Sequence, residues 1–342
     1  MGAGAITTQP ARHETGLRPV QLRRDLGEIA TLIEFCFAPT LDSAGRAAIQ
    51  EMRLLSRSGP LLWALTRFDR SGPNMLKGFV WYEAGRLVGN VSLSPTGYDG
   101  GWVIANVAVH PDFRRHGIAR HLMQAALDWV QARGRFATLQ VEADNDAART
   151  LYDALGFRAQ RTFTRWRRAS FFAQPGPAPS VPLRALKPSD SAALYALAQR
   201  ARPNEAGGLG WLRPTRPESL RPPRFGALGR LFSGRRVVRW GVPSEKNRAL
   251  DAALIAEMRL GVSTALFDLL VDPAHQGALE APLVGHLIRV FAGSRQPLVT
   301  EHPADDESAA EHLRANYFRP ERTLVHMIWP AGAPSSTQAR KE

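Results

Sequence analysis

The stretch Val107 to Ala119, V-A-V-H-P-D-F-R-R-H-G-I-A, constrains the fold more than any other part of the chain. Val107, Ala108 and Val109 read as the end of a buried strand. His110-Pro111-Asp112 breaks it, because proline neither extends a ladder nor follows a helical residue comfortably. A helical pattern begins just beyond, with Ile118, Leu122, Ala126, Trp129 and Val130 on one stripe. Strand, short loop and helix start together make an anion site: unpaired amides point outward and the helix dipole favours negative charge. Gly117 lets the backbone turn and approach a ligand, and Arg114 and Arg115 add positive charge.

A second run follows downstream. Leu139-Gln-Val-Glu-Ala-Asp-Asn145 alternates like a strand, and Asp144 or Asn145 stands where a helix cap is wanted. Ala147 to Leu155 then reads as a short helix that Gly156 stops. The first run, Arg114-x-x-Gly117-x-Ala119 after a strand, fits the pattern Q/R-x-x-G-x-G/A. The second reads N-x-x-A-x-x-L-Y-x-x-x-G-F. In this order and spacing the two resemble the hallmarks of the GNAT superfamily of N-acetyltransferases.

The resemblance implies a set of roles. Acetyl-CoA is the expected co-substrate. Its pyrophosphate is held by the loop Arg114, Arg115, His116, Gly117, Ile118 and Ala119, and its pantetheine arm pairs with the backbone of Val107, Ala108 and Val109. Tyr152 matches the family tyrosine that protonates the departing thiolate. Asn145 is expected to touch the pantetheine arm, or else simply to cap its helix. Acetyl transfer also needs a base for the amine. The strand Trp102 to Val109 carries no carboxylate, Asn106 being its main polar side chain. Glu142 is the first choice for the base, acting directly or through water, and Glu83 the second; the competing reading is a solvated or ion-paired Glu142. His110 and His116 flank the loop without a carboxylate or cysteine at ligand spacing, so no metal is expected.

The expected fold class is α/β, with two tandem GNAT-like domains, each a mixed β-sheet flanked by helices. Residues 1–15 read as a mobile leader and 16–171 as the cofactor-binding domain. In the latter, Leu17 to Leu22 forms a first strand, Asp25 starts a helix, and Leu41-Asp42-Ser43 caps a second helix that ends near Arg57. Glu83-Ala-Gly-Arg86 joins a hairpin, and Phe157 to Arg168 closes the domain as its final strand. Residues 172–181 are a proline-rich linker. The chain then begins again: Val271-Asp-Pro273 matches Val109-His-Pro111, and Ala309-Ala310 with Leu313 matches Ala147-Ala148 with Leu151, an internal duplication. Val237 to Val242 and Ala252 to Leu260 read as a hairpin of the copy. Residues 182–330 are therefore a degenerate second domain, and 331–342 a mobile tail. In the copy Gln276 replaces Arg114, Leu279 replaces Gly117, Arg314 replaces Tyr152, and Glu280 and Pro282 enter the loop. Cofactor binding is expected to be lost there.

Composition narrows the remaining classes. No apolar run is long enough to span a membrane, and no charged-then-apolar leader suggests secretion, so a cytoplasmic protein is expected. The single cysteine, Cys36, sits among apolar helical residues and reads as a buried thiol. The formal charge of +13 comes almost wholly from arginine and is spread over both halves. The densest patch, Arg213 to Arg239, reads as a solvated surface, and nucleic acid is not an expected partner. The expected acceptor is a small-molecule amine or a peptide or protein amine, its contacts lying near Pro39 to Pro73, and the expected state is a monomer or homodimer. The alternative reading is a non-catalytic acyl-CoA-binding sensor or scaffold.

Overall fold

The computed structural model describes residues 14–38, 41, 43–57, 77–172, 181–220, 235–245, 249–259, 264–294 and 296–331. Most of the expected leader, linker and tail lies outside the described residues. So do Asp42, most of the Pro39–Pro73 segment, and residues 221–234 of the arginine-rich patch. The chain divides into two compact units. The first comprises Met1–Gln140, Ala147–Arg158 and Ile328–Glu342, and the second Val141–Asp146 and Ala159–Met327. No described helix is long and apolar enough to cross a membrane.

The first unit opens with strand β1 (Gly16–Pro19) and helices α1 (Leu22–Phe37) and α2 (Ser43–Arg57). Strands β2 (Lys77–Glu83), β3 (Arg86–Pro95) and β4 (Gly101–Val109) follow, then α3 (Ile118–Gln131), β5 (Phe136–Glu142, its last two residues in the second unit) and α4 (Asp146–Ala154, apart from its first residue). The sheet runs β1-β2-β3-β4-β5, antiparallel except for the parallel β4–β5 pair. Helix α1 forms because Leu26, Ile29, Ala30 and Ile33 recur at helical spacing; of that stripe Ile29, Ala30 and Ile33 are buried in one cluster with Val80, Tyr82, Leu87 and Ala108. Each such aliphatic side chain contributes roughly 1.5–3 kcal/mol by leaving water. Helix α3 buries Ile118, Leu122, Met123, Ala126, Leu127 and Val130 in the same way.

Helix α1 starts at Leu22, three residues before the expected Asp25. The reason is that Asp25 turns back to accept the Gln21 N–H at 2.7 Å, satisfying an amide of the first turn from inside the helix. Its carboxylate is wholly buried, forked by Arg18 at 2.7 Å through both Nη atoms and reached by the Tyr82 hydroxyl at 3.1 Å. Arg18 and the Gln21 amide hold the Asp25 carboxyl below its ordinary range against the effect of burial.

The second unit contains β6 (Arg158–Arg168), apart from its first residue, and β7 (Arg184–Ala185). After these come α5 (Ser191–Ala201), α6 (Pro217–Leu220), β8 (Arg235–Pro243), β9 (Leu250–Arg259) and β10 (Ala265–Val271). Helix α7 (Glu280–Val290), β11 (Leu298–Pro303), α8 (Glu307–Ala315) and β12 (Arg319–Pro330, its end in the first unit) complete it. Its strands run β12-β6-β11-β10-β9-β8-β7, with β10–β11 parallel as β4–β5 are. The duplication is visible at one constant offset of 162 residues, shared by Val109 and Val271, Ile118 and Glu280, and Phe136 and Leu298. The expected hairpin is present as β8 and β9.

One strand departs from the expected layout. Phe157 to Arg168 was assigned above to close the first domain, yet β6 pairs antiparallel with β11 from Phe163↔Pro303 to Arg168↔Leu298. Its Trp166 sits in the core of the second unit with Phe267, Leu287 and Phe318. Spacing along the chain marks a strand but carries no information about which edge it joins, because that pairing is made between distant residues.

Candidate functional site

Strand β4 is bent open by one extra residue. Its register with β3 moves from Asn90↔Ala108 to Ser92↔Ala105, and within that bulge Asn106 has a φ of 51°. Asn90 holds the bulge. Its side-chain amide donates to Asn106 O at 2.9 Å and to Ser92 Oγ at 3.2 Å, and it is fully buried. On the opposite edge, β4 pairs with β5 only at Gly101↔Phe136, Trp102↔Ala137 and Val103↔Thr138. Beyond that point the two parallel strands part. Over Val107–Val109 the β5-facing edge of β4 has no ladder partner among the described residues.

The loop after β4 collects unpaired amides. Pro111–Phe113 makes one 3₁₀ turn, fixed where the His110 ring accepts the Asp112 N–H at 3.3 Å. The Arg114 amide bonds Pro111 O at 3.1 Å. From there to the first helical hydrogen bond, His121 N–H to Gly117 O at 3.1 Å, the amides of Arg115 to Arg120 have no partner among the described residues. Two residues with positive φ, Arg115 at 69° and Gly117 at 77°, turn this run of donors, and Gly117 is the N-cap of α3. Arg114, Arg115, His116 and Gly117 are all exposed. Arg114 Nε donates to Val109 O at 3.1 Å, whereas Arg115 and Arg120 have no ion-pair partner among the described residues. Donors, dipole and uncompensated charge favour a multiply charged anion.

Tyr152 lies on α4 in the same unit, 7% exposed, its ring 5.8 Å from that of Phe157. Its hydroxyl has no hydrogen-bond partner among the described residues, and burial pushes its pKa up to about 12. Glu142 and Asn145 belong to the second unit. There Arg322 Nη2 donates to Glu142 Oε1 at 2.8 Å, and the Asn145 amide bonds Glu142 O at 3.0 Å. Asn145 itself is exposed. Cys36 is half-buried, its thiol donating to Val109 O at 3.6 Å; burial raises its pKa, which suits an inert thiol. Glu83 accepts from Trp81 Nε1 at 3.3 Å.

The structure thus joins the end of Val107–Val109 to the loop Arg114–Ala119 through the Arg114 Nε–Val109 O bond, with Tyr152 in the same unit. It adds a residue that the motifs did not single out, Asn90. The available sign was a polar amide inside the otherwise apolar run L-V-G-N-V-S-L, where a buried side chain must find partners.

Comparison with known proteins matches the acetyltransferase (GNAT) family over residues 48–157. The N-alpha-acetyltransferase RimI of Mycobacterium tuberculosis is 32% identical over 136 residues, covering 39% of this chain and 84% of that protein. The [ribosomal protein bS18]-alanine N-acetyltransferase of Salmonella typhimurium is 45% identical over 53 residues. That match spans 15% of this chain and only 36% of the enzyme's length. Among solved structures, a tandem GNAT protein from the clavulanic acid biosynthesis pathway superposes with a TM-score of 0.50 at 18% identity, covering 94% of this chain and 100% of that one.

Proposed function

The chain belongs to the acetyltransferase (GNAT) family, and from that premise we propose that its first unit transfers an acetyl group from acetyl-CoA to a primary amine. The observation that carries the reading is the run of unpartnered amides from Arg115 to Arg120 beside an open strand edge. The amides take the diphosphate of the co-substrate. The backbone of Val107–Val109 takes the pantetheine arm as an added strand, which directs the thioester along β4.

The amine nitrogen attacks the thioester carbonyl, the C–N bond forms and the C–S bond breaks. Tyr152 then gives its proton to the departing thiolate. A phenol with a pKa of about 12 is fully protonated at neutral pH, and its unbonded hydroxyl is available to donate. The first choice for the amine's base remains Glu142, whose Oε1 accepts from Arg322 at 2.8 Å within the second unit. The named relatives are an N-alpha-acetyltransferase and an alanine N-acetyltransferase of ribosomal protein bS18, which makes an alanine-starting peptide the first acceptor to try.

The test is thiol release from acetyl-CoA with a panel of amines: an alanine-starting peptide, an amino sugar and a polyamine, beside direct binding of acetyl-CoA. Turnover with one member supports transfer and names the acceptor class. Tight binding with no thiol release across the panel favours the sensor reading, which draws on the absence of a carboxylate on β4.

A further inference from the structure

The second unit repeats the loop and closes it from within. Pro273–His275 makes a 3₁₀ turn like Pro111–Phe113, with the Asp272 carboxylate accepting the Ala274 N–H at 3.0 Å where the His110 ring accepts that of Asp112. Gly277, at φ 86°, stands in the place of Arg115 at 69°, and α7 begins at the counterpart of the residue that begins α3. The scaffold is the same, but the donors are not.

The Gly277 N–H donates to Glu280 Oε2 at 2.8 Å, and the Ala278 N–H to His275 O at 3.2 Å. Pro282 has no N–H to offer. Their counterparts in the first unit, Arg115, His116 and Arg120, all keep unpartnered amides. Leu279 adopts φ −106° where Gly117 adopts 77°, so the turn that presents the loop is also lost. Glu280 is wholly buried, and its other oxygen, Oε1, has no partner among the described residues.

A carboxylate folded back in a capping box bonds the N-cap amide. Glu280 instead passes the N-cap, Leu279, and reaches the loop residue with positive φ.

We infer that the Glu280 side chain seats its carboxyl group in the second loop, in the place where the first loop takes a diphosphate, so that the chain holds one acyl-CoA and not two. The count rests on the reading that the first loop binds the diphosphate; the role of Glu280 stands on its own geometry.

Equilibrium dialysis of the full chain with coenzyme A separates the two. Wild type is expected to bind one equivalent and Gly117→Trp none. Two equivalents in wild type, or one persisting in Gly117→Trp, would overturn the closed second loop. No binding in wild type would sink the first-loop reading instead, leaving Glu280 to a second measurement with inorganic pyrophosphate as probe. In the Gly117→Trp background, Glu280→Ala is expected to melt lower than its parent. Pyrophosphate should then raise its melting temperature by about 2 °C or more while leaving the parent unmoved. If Glu280→Ala does not fold unaided, its recovery of circular dichroism with pyrophosphate is scored instead. An equal response with and without Glu280, or no response in either, counts against the inference.

Discussion

At the scale of single residues, the proposed roles of Tyr152 and Gly117 lie at opposite ends of the co-substrate, the thioester and the diphosphate. The ring is buried, burial keeps the phenol protonated at neutral pH, and its hydroxyl has no hydrogen-bond partner among the described residues, three conditions that suit a donor to a thiolate. Tyr152→Phe is therefore expected to lower kcat by ~10²-fold or more with little change in KM for acetyl-CoA, as read by steady-state thiol release. Because burial raises its pKa to about 12, deprotonation of Tyr152 should remove no activity below about pH 11. A basic limb near pH 10 that disappears in Tyr152→Phe would contradict this. Both residues were legible in the sequence, since each sits at a fixed spacing from a strand end or a helix start. The unpaired state of the tyrosine hydroxyl was not.

At the scale of elements, the site depends on β4 being out of step with its neighbours. The bulge at Asn106 stops β4 following β5, and the Asn90 amide compensates the carbonyl that the bulge withdraws from the ladder. Asn90→Ala leaves that carbonyl without its donor. It should cost about 1–3 kcal/mol in urea unfolding. It should also raise KM for acetyl-CoA more than it lowers kcat, because the strand edge rather than the acid is displaced. Equal kinetic constants in wild type and Asn90→Ala would show that the bulge holds without it. Alternation and turn residues made β4 readable as a strand. The bulge was hidden because it is a mismatch between two strands, and neither contains it alone.

At the scale of the whole molecule, the two units are not two consecutive stretches of chain. Strand β6 supplies the neighbour of β11, so a fragment beginning at the expected boundary, residues 182–342, lacks it. That fragment is expected to aggregate through the exposed β11 edge, whereas residues 141–342, which keep β6 and the Val141–Asp146 segment of the same unit, should stay soluble; light scattering of the two decides. The second unit also buries two histidines. His302, with Arg202 on one side and Asp306 at 2.8 Å on the other, and His326, stacked on Phe163, are both pushed down by burial to about 4. For a histidine the unfolded chain takes up its proton near pH 6.5, before the folded one does. Stability is thus complete above that pH and falls as the pH drops toward 4, by up to roughly 1.4 kcal/mol per pH unit for each ring. Urea midpoints between pH 7 and 4 should show the decline, and His326→Gln should flatten it.

What the sequence by itself determined is local: a strand end, a loop with glycine at one place, a helix start, and a tyrosine at a set distance from an asparagine. These are legible because backbone conformation and helix periodicity depend on residues a few positions apart. The same reasoning found the duplication, since the copy preserves those periods. Only the tertiary structure decided that β6 pairs with β11, that Asn90 holds the bulge, and that Glu280 fills its own loop. In each case a hydrogen-bonding group is satisfied by a partner that is chosen by where the chain comes to rest, and no pattern in the residues around it names that partner.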